Sequence, residues 1–117
     1  MKVLLVDDEE LQLIRIANAA KKALPEGSEF LCYTNPVLAY DENVNNKIDI
    51  AFLDIEMPTI NGIQLAKKLK KVNPLVNVIF VTAYDDYALE AYRLHASGYI
   101  MKPVNETKIK EEINGLR

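Results

Sequence analysis

The sequence predicts an open, doubly wound α/β domain in which five parallel strands alternate with five helices. Three observations carry that prediction. Apolar runs at 3–6 (VLLV), 50–53 (IAFL) and 78–81 (VIFV) are continuous rather than alternating, as in strands covered on both faces. The segments between successive strands are long enough for the crossovers that join parallel neighbours, and several carry apolar residues at three- and four-residue steps. Four of the strands stop at polar or charged residues: Asp7 with Asp8, Asp54, Thr82 and Lys102. A parallel sheet gathers those ends along one edge, where ligands of open α/β sheets bind.

The first strand, 3–6, is rich in β-branched residues and closes on four acids, Asp7 to Glu10. The acids suit the amino terminus of the helix that follows, with Leu13, Ala17, Ala20 and Leu24 as its apolar stripe and Pro25, Glu26 and Gly27 as its stop. EFLCY, 29–33, is short and mixed in polarity, so it reads as an edge strand. Asn35 and Pro36 read as the cap and first position of a second, weakly periodic helix over 37–46.

The strand at 50–53 ends at Asp54, and Pro58, Asn61 and Gly62 turn the chain into a helix over 62–72. Leu65, Ala66, Leu69 and Val72 are expected to face inward there, and Lys67, Lys68, Lys70 and Lys71 to form its solvated face. The strand at 78–81 closes on Thr82. DDYALEAYRLH, 85–95, reads as a helix with its acids first and Arg93 and His95 last. GYIM, 98–101, is a short strand closed by Lys102 and Pro103, and Asn105 caps a last helix with the stripe Ile109, Ile113 and Leu116.

At 117 residues and 50% hydrophobic the chain suits one domain, expected to occupy 1–117, with NGLR as its edge. A net charge of −3 argues against a broad footprint for nucleic acid or anionic membrane, so any DNA binding is expected from a separate domain. The single cysteine, Cys32, has no internal partner and is expected as a small buried apolar side chain. The start, MKVLLVDDEE, meets acids before a signal-like apolar run develops, and no stretch approaches the roughly 20 apolar residues of a membrane span. The expectation is a soluble cytoplasmic domain.

If the first and third strands flank the switch point of the sheet, Asp7, Asp8 and Asp54 converge there. Clustered carboxylates raise one another's pKa unless a cation intervenes, and an all-oxygen site of this kind suits Mg²⁺, with Mn²⁺ as a substitute. Lys102 as a point charge and the Thr82 hydroxyl suit the oxygens of a tetrahedral anion. Phosphoryl chemistry on a carboxylate is the reaction class these residues indicate.

Taken together, VDDEE, FLDIEMPTING, VTAY and YIMKP, in this order and spacing, resemble the receiver domain of two-component response regulators across essentially the whole chain. The resemblance implies a flavodoxin-like sheet of order 2-1-3-4-5. It implies that Asp54 accepts a phosphoryl group from a histidine kinase, that Asp8 binds Mg²⁺ directly, that Asp7 acts largely through water, and that the backbone carbonyl of Glu56 is a further ligand. It implies also that Lys102 pairs with the phosphoryl group, that the bond from Lys102 to Pro103 is cis, and that Thr82 and Tyr99 relay phosphorylation to the face of the fourth helix, fifth strand and fifth helix. That face is the expected site of homodimerisation, and a transcriptional output domain outside this chain the expected effector.

Each residue also has a plain structural reading. Asp7 and Asp8 can begin a helix, Thr82 can be a strand-end hydroxyl, Tyr99 an edge aromatic and Lys102 a surface charge. His95 suits a helix carboxyl end, and Met57 and Pro58 shape a loop. Glu56 and Tyr84, two residues beyond Asp54 and Thr82, are expected to tune access of water to the site. Ser97 and Gly98 stand where many relatives carry an acid. Among other classes, a phosphatase of the haloacid dehalogenase type wants aspartate where Glu56 stands, and a flavin-binding domain wants a phosphate-cradling loop where the chain has four acids. The domain is expected to catalyse only its own phosphorylation and dephosphorylation.

Overall fold

The computed structural model describes residues 1–116. Five strands, β1 (Lys2–Val6), β2 (Glu29–Tyr33), β3 (Ile50–Leu53), β4 (Asn77–Thr82) and β5 (Gly98–Met101), alternate with α1 (Glu10–Ala23), α2 (Pro36–Asn43), α3 (Gly62–Val72), α4 (Ala88–Arg93) and α5 (Glu106–Asn114). All strand pairs are parallel, in the order β2-β1-β3-β4-β5. Arg117, the last residue of the expected domain, lies outside the described residues.

Strand alternation divides the core into two layers. Leu4, Val6, Ala51, Leu53, Val78 and Phe80 meet α2, α3 and α4, while Val3, Leu5, Ile50, Phe52, Ile79 and Val81 meet α1 and α5. Both sets are buried, which is why the three central strands carry unbroken apolar runs. Among the described residues no helix is long and apolar enough to cross a membrane.

The caps expected at Asn35 and Asn105 are in place, and Asn61, read from the sequence only as part of a turn, caps α3 as well. Asn35 accepts the Val37 and Leu38 N–H groups, Asn105 accepts that of Lys108, and Asn61 forms a reciprocal capping box with Gln64. His95 occupies the left-handed region (φ 62°) just past α4; its N–H reaches the Tyr92 carbonyl and the Ala96 N–H that of Ala91, the paired bonds of a Schellman motif.

Three expectations are corrected. Cys32 is exposed: β2 is an edge strand, and the outer end of its α1 face opens into a groove lined by Glu10, Ile14 and Lys21. Val72 is 41% exposed, because at the last residue of α3 it lines a surface groove with Val44 and Leu75 instead of meeting the sheet. The helix expected over 85–95 spans only Ala88–Arg93, since Tyr87 departs from helical geometry without a side-chain cap bond and the left-handed His95 follows its end. On α3, Lys67, Lys68 and Lys71 are exposed as expected, and Lys68 reaches over the Tyr40 ring.

Candidate functional site

The carboxyl edge of the sheet brings the predicted residues together. One carboxylate oxygen from each of Asp7, Asp8 and Asp54 lies within 4.8 Å of the others. Asp7 and Asp54 are buried at the ends of adjacent strands, and Asp8 is exposed at the rim. The Asp7 Oδ1 accepts the Glu9 N–H (2.9 Å), so this acid shapes the turn into α1 while its other oxygen faces the site. The Asp54 Oδ1 accepts the Ile55 N–H (2.8 Å).

Lys102 enters from β5. Its Nζ stands 2.8 Å from Asp7 Oδ2 and 3.5 Å from Asp54 Oδ2, and its backbone N–H donates to the Thr82 carbonyl (2.8 Å). One cation therefore serves two buried acids, with the third at the solvent edge. Burial pushes the Asp54 carboxyl up to about 6, the Asp7 charge adds to the rise, and Lys102 and the Ile55 N–H oppose it. Burial would lower the Lys102 pKa, but its bond to Asp7 and the charge of Asp54 raise it on balance. A cluster with this excess of negative charge, offering oxygen atoms only and open at Asp8, fits a hard divalent cation.

Thr82 is fully buried at the end of β4, and its Oγ1 accepts the Tyr84 N–H (3.3 Å). Tyr99, opposite Phe80 in the β4–β5 register, is half-buried and donates its hydroxyl to the Tyr84 carbonyl. Glu56 is exposed in the loop after β3, and its carboxylate raises the pKa of the neighbouring Tyr87 hydroxyl in addition to the effect of burial. In the same loop Met57 packs against the core, and Thr59 (φ 74°) with an Ile60 N–H to Pro58 carbonyl bond of 2.9 Å makes a γ-turn. The bond from Lys102 to Pro103 is cis.

Two supporting residues escaped the sequence reading. Gly62 was legible only as a turn former; its N–H donates to the Ile55 carbonyl, and a Cβ there would lie 2.0 Å from the Asp54 carbonyl oxygen. Lys108 carries no sequence signal, yet its Nζ reaches the carbonyls on both sides of Lys102.

Comparison with known proteins agrees with this geometry. The chain is 36% identical over 113 residues to the sensory transduction protein LytT of Bacillus subtilis (strain 168), covering 97% of this chain and 46% of that protein. It is 32% identical over 117 residues to the transcriptional regulatory protein LytR of Staphylococcus aureus (strain N315), covering 100% of this chain and 47% of the relative. The chain thus spans about half the length of the curated relatives it matches. The response regulatory domain of mrkE from Klebsiella pneumoniae superposes with a TM-score of 0.87 at 29% identity, over 99% of this chain and 94% of that one. The response regulator TrrA of Thermotoga maritima, solved in complex with Mg²⁺–BeF, gives 0.77 at 30% identity over 97% and 96%. The family model of the response regulator receiver domain matches residues 3–114, and the chain belongs to that family of signalling switches.

Proposed function

We propose that Asp54 is the phosphoacceptor of a two-component switch, receiving its phosphoryl group from the phosphohistidine of a sensor kinase. The observation that carries this reading is the grouping of Asp7, Asp8 and Asp54 with Lys102 at the carboxyl edge of the sheet. The Ile55 N–H holds Asp54 Oδ1, which leaves Oδ2, on the Lys102 side, to attack phosphorus in line. The P–N bond breaks as the acyl phosphate forms, and the imidazole leaves with the bonding pair. Lys102 then pairs with the transferred group's oxygens.

Asp8, Asp54, the Glu56 carbonyl and, through water, Asp7 would hold Mg²⁺ or Mn²⁺. When bound, the ion supplies charge neutralisation for the phosphoryl oxygens. A relative solved in complex with Mg²⁺–BeF supports a divalent ion at this acidic cluster.

In this reading the Thr82 hydroxyl turns toward a phosphoryl group on Asp54 and gives up its long, 3.3 Å bond from the Tyr84 N–H. That loosens the β4–α4 loop, which Tyr99 grips at the Tyr84 carbonyl. The change reaches the α4–β5–α5 face, where Leu89 is 59%, Tyr92 79% and Met101 38% exposed. A homodimer through this face, a transcriptional output domain beyond the chain and a cytoplasmic location complete the reading. The relative named a transcriptional regulatory protein supports the output.

The test is intact mass after exposure to a small acyl phosphate, with and without Mg²⁺, on the parent and on Asp54→Ala. One Mg²⁺-dependent, alkali-labile adduct that is missing from the variant is the expected result. No adduct in the parent, together with no response of Tyr99 to a fluoride-based phosphoryl mimic, would overturn the reading. Sedimentation over a concentration series with the mimic tests the dimer: a monomer in both states removes it.

A further inference from the structure

Lys102 leaves an edge strand and enters a loop whose next residue, Pro103, has no N–H to donate. Its backbone is nevertheless held on every side. The Lys102 N–H is tied to Thr82, and the carbonyls that flank Lys102, those of Met101 and Pro103, both accept from the Lys108 ammonium, at 3.1 and 2.9 Å. Lys108 is itself fixed, because its N–H donates to the Asn105 cap at 2.8 Å and its residue is half-buried on the first turn of α5. Bonds from a charged donor are stronger than neutral ones, and two of them hold the residues before and after the site lysine.

We propose that Lys108 is a positioning residue for the phosphoryl site: by clamping the Met101 and Pro103 carbonyls it sets where the Lys102 ammonium stands between Asp7 and Asp54. This rests on the phosphoacceptor reading above for its effect on transfer, though not for its effect on Lys102. A surface lysine on a helix ordinarily projects into water. This one is turned back onto its own loop, and the loop it holds carries the cation that touches both buried acids. It also couples α5 to the site, since a shift of that helix moves the anchor of Lys102.

The experiment compares the parent with Lys108→Met, Lys108→Arg, Lys102→Ala and the double variant Lys102→Ala/Lys108→Met, each checked for folding by its denaturation midpoint. With a small acyl phosphate and Mg²⁺, Lys108→Met is expected to lower the maximal phosphorylation rate about tenfold and leave the half-saturating donor concentration within about twofold. Lys108→Arg, whose guanidinium can span both carbonyls, should recover most of that rate, and Lys108→Met should have no further effect once Lys102 is absent. An equal loss in the presence and absence of Lys102 would overturn the proposal, as would a parent-like rate in Lys108→Met. A second readout needs no phosphoryl transfer. The ¹⁵N-ammonium signal of Lys102, slowed in exchange by its bond to buried Asp7, should broaden into solvent exchange in Lys108→Met and persist in Lys108→Arg. An unchanged signal in Lys108→Met sinks the proposal even if the parent accepts no phosphoryl group, whereas a parent that accepts none, does not respond at Tyr99 to the phosphoryl mimic and yet shows the broadening overturns only the phosphoacceptor reading.

Discussion

Thr82 and Tyr99 hold opposite ends of the same residue: the Thr82 hydroxyl accepts the Tyr84 N–H, and the Tyr99 hydroxyl donates to the Tyr84 carbonyl. Two side chains that share no sequence neighbourhood are thereby joined through a single backbone unit of the β4–α4 loop. Tyr99→Phe keeps the ring against Phe80 but removes the grip on that loop. The expected cost is about 1 kcal/mol of stability. Amide hydrogen exchange over residues 84–87 should accelerate while that of β3 and β4 stays at the parent rate; unchanged exchange in the loop would show that the bond does not restrain it.

Lys102 sits nearer to Asp7 than to Asp54, so its removal strands the more deeply buried acid. Lys102→Met is expected to destabilise the metal-free domain by about 2 kcal/mol at neutral pH, less than the roughly 3–5 kcal/mol of a wholly buried pair because Lys102 keeps one side to water. Mg²⁺ should restore part of that loss in urea titrations. A variant as stable as the parent without metal would contradict the pairing.

The acid cluster predicts a pH dependence of definite sign. A carboxyl at about 6 in the fold against an ordinary 3.8 binds more protons when folded than when unfolded between those values, so metal-free stability falls as pH rises through that window. The difference corresponds to at most about 3 kcal/mol. Asp54→Asn, which keeps an oxygen for the Ile55 N–H, should therefore be more stable than the parent at pH 7 in EDTA. The gain should shrink below pH 6 and vanish near pH 4 in denaturant titrations. A constant gain across that range would place its origin elsewhere.

Gly62 faces the backbone of Asp54. A methyl there has only 2.0 Å to the Asp54 carbonyl oxygen, so the strand end or the start of α3 must move. Gly62→Ala is expected to cost about 3 kcal/mol, at the upper end of overpacking, and to weaken Mg²⁺ binding measured by calorimetry. Parent-like stability and affinity together would mean that the loop relaxes freely.

His95 stands in the left-handed position that glycine occupies without strain. His95→Gly should leave the site unchanged and raise stability by up to about 1 kcal/mol, read as a higher thermal midpoint. A loss of stability would instead assign the imidazole a contact that matters.

The sequence by itself determined where the central strands lie and which polar residues end them. A strand covered by helices on both faces must be apolar throughout, so 3–6, 50–53 and 78–81 could be read directly, and acids, a threonine and a lysine at the ends of such runs stand out because burial penalises them. Only the tertiary structure decided which of those groups pair. That Lys102 favours Asp7, that Thr82 and Tyr99 meet at Tyr84, that Gly62 touches the Asp54 carbonyl and that Lys108 clamps the loop around Lys102 are distances between elements remote in sequence, set by how helices pack on a twisted sheet. The corrections have the same origin: periodicity states which residues share a face, whereas the exposure of Cys32 and Val72 depends on how far the neighbouring elements extend over that face.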